Sequence, residues 1–390
     1  MNSQWRDFLE SHGARYGEDG RARFPDAPRQ ADPALCDLSH LGLIAVAGAD
    51  APTFLQGQLT NDVRQVSATH SQLAGYCTHQ GRMLASFRLL RRGDTFYLLL
   101  PRTQVELVLK RLRMFVLRSQ VVLTDASAEF AALGLSGDQA ETLLADAIPE
   151  AAGPKAAVPD IAGPEAASPD ATGPETAGPE ASVPDATGPK AAGLELAALP
   201  AEVNGQAQVG DLTIIRPAGT PPRFLVLGPV PALTARWDRL AAAATPVNAE
   251  HWTLGDIQAG LPNIHPETRE AFVPQMTNLQ RVDGVSFTKG CYTGQEVVAR
   301  MQYLGKLKRR LYVGEVTSDR PPRPGDALFS PISESAQTPG TVVEASPLAE
   351  GRWALSLVAE IAAVADGRLS LGEGGPLIQV SEPPYGFPAP

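Results

Sequence analysis

Residues 71–101 read SQLAGYCTHQGRMLASFRLLRRGDTFYLLLP, and the way this stretch divides sets the fold. SQLAGYCTH (71–79) and RMLASFRLL (82–90) read as strands joined by a Gln80-Gly81 turn. A Gly93-Asp94 turn leads into a third strand, TFYLLL (95–100). Upstream, LGLIAVAG (41–48) is a further strand, and Asp50 is placed to cap a helix over Ala51–Leu59 with Pro52 in its first turn. Downstream, TQVELVLKRLRMFV (103–116) puts Val105, Leu109, Leu112 and Val116 on one helical face. SQVVLTD (119–125) and FAALGLSG (130–137) follow as strands. The order is that of a split β-α-β-β-α-β unit, which makes the chain α+β.

Further along, strands are expected at 212–216 and 223–228, a helix over 231–244, then a segment around Trp252 and a loop-rich stretch 260–290. From Leu311 the pattern changes. RLYVGEV, GDALFS, GTVVEAS, RWALSLVA and PLIQVS are short strands divided by Gly/Pro turns, as in a small β-barrel. Between the halves lies a different composition. Gly-Pro recurs at 153, 163, 173, 178 and 188, and nearly everything between is Ala, Pro, Asp, Glu, Ser or Thr. Proline at this density blocks helix, and too few large apolar side chains remain to offset the entropy of ordering. The segment reads as a disordered insert that interrupts a folded module. The expected organisation is a polar tail (1–30), the first half of a module (31–150), the insert (151–195), the second half (196–308), a β-barrel (309–382) and a short tail (383–390).

The 390 residues carry a net charge of −10, which disfavours direct nucleic-acid binding as a bulk property. Three cysteines, at 36, 77 and 291, with no C-x-x-C pair, argue against a disulfide scaffold and a self-contained four-ligand zinc site. No metal site is expected. Neither a signal-peptide core nor a membrane-length apolar run is visible, so the expected compartment is the cytoplasm, with no membrane partner. There is no G-x-S-x-G, no G-x-G-x-x-G after a strand and no P-loop.

FTKGCYTGQEVVAR (287–300) carries the most chemistry. Thr293 to Glu296 fits a capping box. Cys291 then sits just ahead of a helix N-terminus, with Lys289 two residues away, and both favour a thiolate. The simpler alternative is a small residue buried in a turn, the reading given to Cys36 and Cys77. A basic run follows at Arg300, Lys306, Lys308, Arg309 and Arg310, either a phosphate contact or a solvated helix end.

KGCYTGQEVVAR closely resembles the signature of the YgfZ family, folate-binding proteins related to the glycine cleavage T protein. GADAPTFLQGQLTNDV (48–63), GRMLASFRLL (81–90) and the run from DIQAGLPNI (256–264) to KGCYTGQE (289–296) resemble the same family. The resemblance implies a T-protein-like folate-binding module ending in a β-barrel, with three parts around a central channel. It implies a tetrahydrofolate-binding accessory factor in assembly or repair of iron–sulfur enzymes, linked only indirectly to tRNA methylthiolation. Its partners would be folate and iron–sulfur client enzymes or assembly factors. Carried over by position, Cys291 would be the functional thiol and Lys289 its charge partner. Trp252, Gln258, Tyr292, Gln295, Glu296 and Arg300 would form the folate site. Four positions depart from the pattern. Leu41 stands where a second folate-contacting tryptophan is found, and Gln258 replaces the glutamate of an E-A-G sequence. Ala85 and Ser86 replace the acidic pair of aminomethyltransferases. The alternatives are a folate-dependent one-carbon transferase, which Ala85-Ser86 argues against, and an RNA- or protein-binding module with no small-molecule ligand.

Overall fold

The computed structural model describes residues 2–17, 19–148, 196–333 and 338–387. The Gly-Pro insert lies outside the described residues. Eight α-helices occur among them: α1 (Ser3–Ser11), α2 (Ala51–Gln58), α3 (Arg102–Arg113), α4 (Ala140–Ala147), α5 (Val230–Ala241), α6 (Ala249–Gln258), α7 (Gln295–Tyr303) and α8 (Ile361–Asp366).

Two sheets face each other. The stretch 71–101 forms three consecutive antiparallel strands, Gln72–Cys77, Met83–Arg92 and Thr95–Pro101. Leu41–Ala47 and Val122–Asp125 complete a five-stranded antiparallel sheet, so three strands lie between α2 and α3. The strand Ala131–Ser136 leaves this sheet and joins a second one of six strands. There the antiparallel pair Leu212–Ile215 and Arg223–Gly228 lies on one side of it, and Ala34–Asp37 and Thr245–Val247 on the other.

Period-2 alternation decides what each face buries. From the five-stranded sheet, Ala85, Phe87 and Leu89 pack against Phe54 and Leu55 of α2 and Val105, Val108 and Leu112 of α3. From the six-stranded sheet, Leu133, Leu135 and Phe224 pack against α4 and α5. The inner faces meet in a third apolar cluster that holds Leu43, Leu90, Leu99, Leu225, Leu227 and Trp252. The order through the molecule is therefore helices, sheet, sheet, helices. A C-terminal β module is attached, with strands in the order Gly340–Ala349, Arg352–Glu360, Arg309–Thr317 and Gln379–Ser381.

Three expectations need correcting. The first thirty residues are not a polar tail. Asn2 caps α1 by accepting from the backbone N–H groups of Gln4 and Trp5. Trp5 and Leu9 are fully buried in the α4–α5 core, and the Trp5 indole donates to the buried Asp37 carboxylate at 2.8 Å. A mixed-charge helix with one apolar stripe looks polar when read linearly. Residues 383–387 also pack: the Tyr385 hydroxyl donates to Gly260 O, and Phe387 lies edge-on to Tyr312. Asp50 precedes α2 but does not cap it. Its carboxylate instead accepts from Gln120 N at 2.7 Å, tying α2 to the loop after α3.

Candidate functional site

Strand alternation in MLASFRLL sends Ser86 and Arg88 to the side opposite Ala85 and Phe87, into the space between the sheets. They meet α6 there, which supplies Trp252 and Asp256. Together with Leu41, Leu225 and Asn263 these residues line a narrow cavity of about 70 Å³. Through Leu73 and Leu261 this cavity adjoins a wider one of about 410 Å³, whose walls include Asn204, Gln258, Arg281 and Tyr385. A third cavity of about 450 Å³, with Ser136, Arg223 and His251 in its wall, lies beyond Trp252. The wide arm falls within the usual range for small-molecule sites.

Trp252 is 3% exposed and forms part of the packed interior. A Cβ on Gly134 would come within 2.4 Å of the indole, so only glycine at 134 allows α6 to seat the ring on this strand. The Arg223 guanidinium lies 4.6 Å from the ring centroid. Arg223 also donates to Asp256 Oδ1 at 2.8 Å and to Trp252 O at 3.2 Å, which fixes α6 against the six-stranded sheet. With Arg223 over the ring and Gly134 packed against its six-membered part, Trp252 borders the narrow arm as a fixed wall rather than a free stacking platform. Burial raises the Asp256 carboxyl above its ordinary range, and Arg223 opposes that rise. Arg88 is buried, and desolvation brings its pKa down to about 10.

At the positions matching the aminomethyltransferase acids, Ala85 is core and Ser86 is committed to backbone. The Ser86 hydroxyl donates to Pro262 O and accepts from Ile264 N, both at 3.0 Å. It pins the 262–264 loop and presents no acid or base.

The 287–300 motif lies elsewhere. Cys291 is exposed, while Cys36 and Cys77 are buried. None of the three cavities is lined by residues 287–300. The capping box does not form: α7 begins at Gln295, its N-cap is Gly294 at φ 84°, and no side chain caps it. A Cβ at 294 would come within 2.4 Å of Thr78 O, so this glycine seats the motif on the Gln80-Gly81 turn. Gly290 has open space around its missing Cβ, so no close approach explains it.

Lys289 is not the charge partner of Cys291. Its ammonium is buried and donates to Gln56 O, Leu59 O and Asn61 O at 2.7, 2.6 and 2.9 Å. An ammonium has three N–H groups, and all three are taken at the carbonyl-rich end of α2. Burial lowers its pKa to about 8. Tyr292 is buried with its ring centroid 5.1 Å from the same nitrogen. Glu296 and Arg300 are exposed and pair with each other at 2.6 Å, pointing into solvent.

Of the expected site residues, then, Trp252 and Gln258 line cavities, with Gln258 at an exposed rim. Lys289, Cys291, Tyr292, Gln295, Glu296 and Arg300 are grouped on the α7 side. Linear reading passed over Arg88, Asp256, Arg223 and Tyr385. The available signal for Arg88 was a charge set between Phe87 and Leu89, in the apolar middle of the strand. No group of three or more metal-ligating side chains occurs among the described residues. No described helix is long and apolar enough to cross a membrane.

Comparison with known proteins agrees with this architecture. The GCVT N-terminal domain family model matches residues 29–162. A protein named tRNA-modifying protein YgfZ from Yersinia pestis is 29% identical over 317 residues, 81% of each chain. One of the same name from Colwellia psychrerythraea is 28% identical over 309 residues, covering 79% of this chain and 80% of the relative. The crystal structure of glycine cleavage system aminomethyltransferase T from Bartonella henselae superposes with a TM-score of 0.64 at 18% identity. It covers 97% of this chain and 96% of that one, and so shows the fold. These chains are homologues, and the resemblance read from KGCYTGQE holds over four-fifths of the sequence.

Proposed function

We propose that this homologue of the YgfZ proteins binds tetrahydrofolate or a related folate between its two sheets. It would thereby serve as an accessory factor in assembly or repair of iron–sulfur enzymes, supporting tRNA modification indirectly. One observation carries the reading. The aminomethyltransferase fold keeps its inter-sheet cleft, while Ala85 and Ser86 are sealed into core and loop contacts. A cleft without acid–base groups at those positions suits binding better than aminomethyl transfer.

The residues present fit such a ligand. The wide arm has room for a fused ring, apolar walls at Leu73 and Leu261, the Tyr385 ring, and polar groups at Asn204 and Gln258. Arg88 and Trp252 border the narrow arm. Bound folate would supply a one-carbon carrier, and the protein would orient it and exclude water. The exposed Cys291 would act at the surface, where a client protein can reach it.

The test has two arms. Tetrahydrofolate is titrated without air, with saturable one-to-one binding expected. In cells lacking the native protein, Cys291→Ala is expected to leave iron–sulfur enzyme activity unrestored although the protein accumulates normally. Full restoration by Cys291→Ala would remove the thiol from the account.

A further inference from the structure

Arg88 stands out among the charged residues of the interior. It is 7% exposed, in the middle of an apolar strand. One guanidinium nitrogen, Nη1, donates to two neutral oxygens, Ser71 Oγ at 3.1 Å and Asn204 Oδ1 at 2.8 Å. Arginine carries five N–H groups, and the other three have no described acceptor. Among the described residues no carboxylate lies within ion-pair distance of it. The nearby Asp256 is held by Arg223 at 2.8 Å. Arginine does not give up its proton at neutral pH, so the cation persists. An unpaired cation taken out of water costs folding free energy, and proteins rarely keep one without a partner.

We propose that Arg88 is the counter-ion for a carboxylate of the ligand held between the sheets, an assignment that rests on the folate reading. The cavity sizes determine which part of the ligand meets it. The narrow arm beside Arg88, about 70 Å³, has roughly a sixth of the volume of the wide arm, about 410 Å³. That is room for a carboxylate and not for a bicyclic ring. The wide arm of about 410 Å³, reached past Leu73 and Leu261, takes the ring. Arg88 offers its unused N–H groups to the carboxylate as a planar fork.

Three probes separate the sources of recognition in wild type and Arg88→Met. They are tetrahydrofolate, 6-methyltetrahydropterin (the ring without carboxylates) and 4-aminobenzoyl-glutamate (the carboxylates without the pterin). Arg88→Met is expected to weaken tetrahydrofolate roughly ten- to a hundredfold. It should weaken 4-aminobenzoyl-glutamate in parallel and leave 6-methyltetrahydropterin unchanged. The ligand-free variant should melt no lower than wild type, because an unpaired buried charge has been removed. A purely structural arginine would give the opposite pattern, a lowered melting temperature with unchanged affinities. Unchanged tetrahydrofolate affinity in Arg88→Met overturns the assignment, as does an equal loss for the carboxylate-free pterin. If Arg88→Met does not fold, Arg88→Lys replaces it: a several-fold loss for tetrahydrofolate and 4-aminobenzoyl-glutamate with 6-methyltetrahydropterin unchanged supports the assignment, and no loss overturns it. Failure of wild type to bind any probe overturns the folate reading together with this one. Wild-type binding that ignores residue 88 overturns this one alone.

Discussion

Lys289 commits every N–H of its ammonium to carbonyls at the end of α2, and it does so from inside the most recognisable motif of the chain. The sequence showed a lysine two residues from a cysteine, and proximity along the chain suggested a charge partner. The structure directs the two side chains differently, a distinction that linear spacing cannot make. Lys289→Ala should leave three carbonyls without their donor and cost roughly 3 kcal/mol of stability, measured by urea unfolding. A loss below about 0.5 kcal/mol, the range of ordinary surface substitutions, would contradict the anchoring role. Cys291 is exposed, whereas Cys36 and Cys77 are buried. A thiol reagent should therefore titrate one cysteine in the native protein and all three after denaturation. Two fast thiols in the native state would show that one of the strand cysteines is reachable.

At the scale of elements, strands and helices from residue 41 to 137 were legible because period-2 and period-3.6 patterns are strong there and turns such as Gln80-Gly81 mark the joints. Helix α1 was not, because only Trp5 and Leu9 of its nine residues are buried and, Phe8 apart, the rest are polar. Trp5→Ala should cost roughly 3–5 kcal/mol, as for a core tryptophan. A variant as stable as wild type would restore the polar-tail reading. The start of α7 was placed nearly correctly for the wrong reason: a left-handed glycine, not a capping box, begins it. The pair His265–Glu344, at 2.7 Å, joins the 260–290 loop to the C-terminal module. Burial works against the charge on both groups. Burial is the largest single influence on each, but the paired charge and hydrogen bond, joined at Glu344 by Arg21 and Asn263, together leave the His265 pKa raised and that of Glu344 lowered. The His265 contribution is complete below the unfolded value of about 6.5 and fades as pH rises through its raised folded pKa. The Glu344 contribution is complete above about 4.3 and fades as pH falls through its lowered folded pKa. The stability gap between wild type and the double variant His265→Gln/Glu344→Gln should thus be widest near pH 5–6. A gap independent of pH would mean that the pair is not ionised.

For the whole molecule, the cleft exists because two sheets that are far apart in sequence face each other, and no local pattern announces that pairing. Arg88 comes from the strand Met83–Arg92, Leu225 from the strand Arg223–Gly228, and Trp252 from α6. The family resemblance implied a channel and a folate site of six residues, but four of them, Tyr292, Gln295, Glu296 and Arg300, lie on the α7 side instead. What the sequence did carry to the site was negative information, Ala85 and Ser86 where a transferase has acids, and the structure gives both a packing role. The central claim is that the space between the sheets holds a folate. Calorimetric titration of the full-length protein with tetrahydrofolate under argon tests it most directly. The account expects one site per chain, with affinity reduced by Arg88→Met. Absence of saturable binding up to millimolar ligand would contradict it.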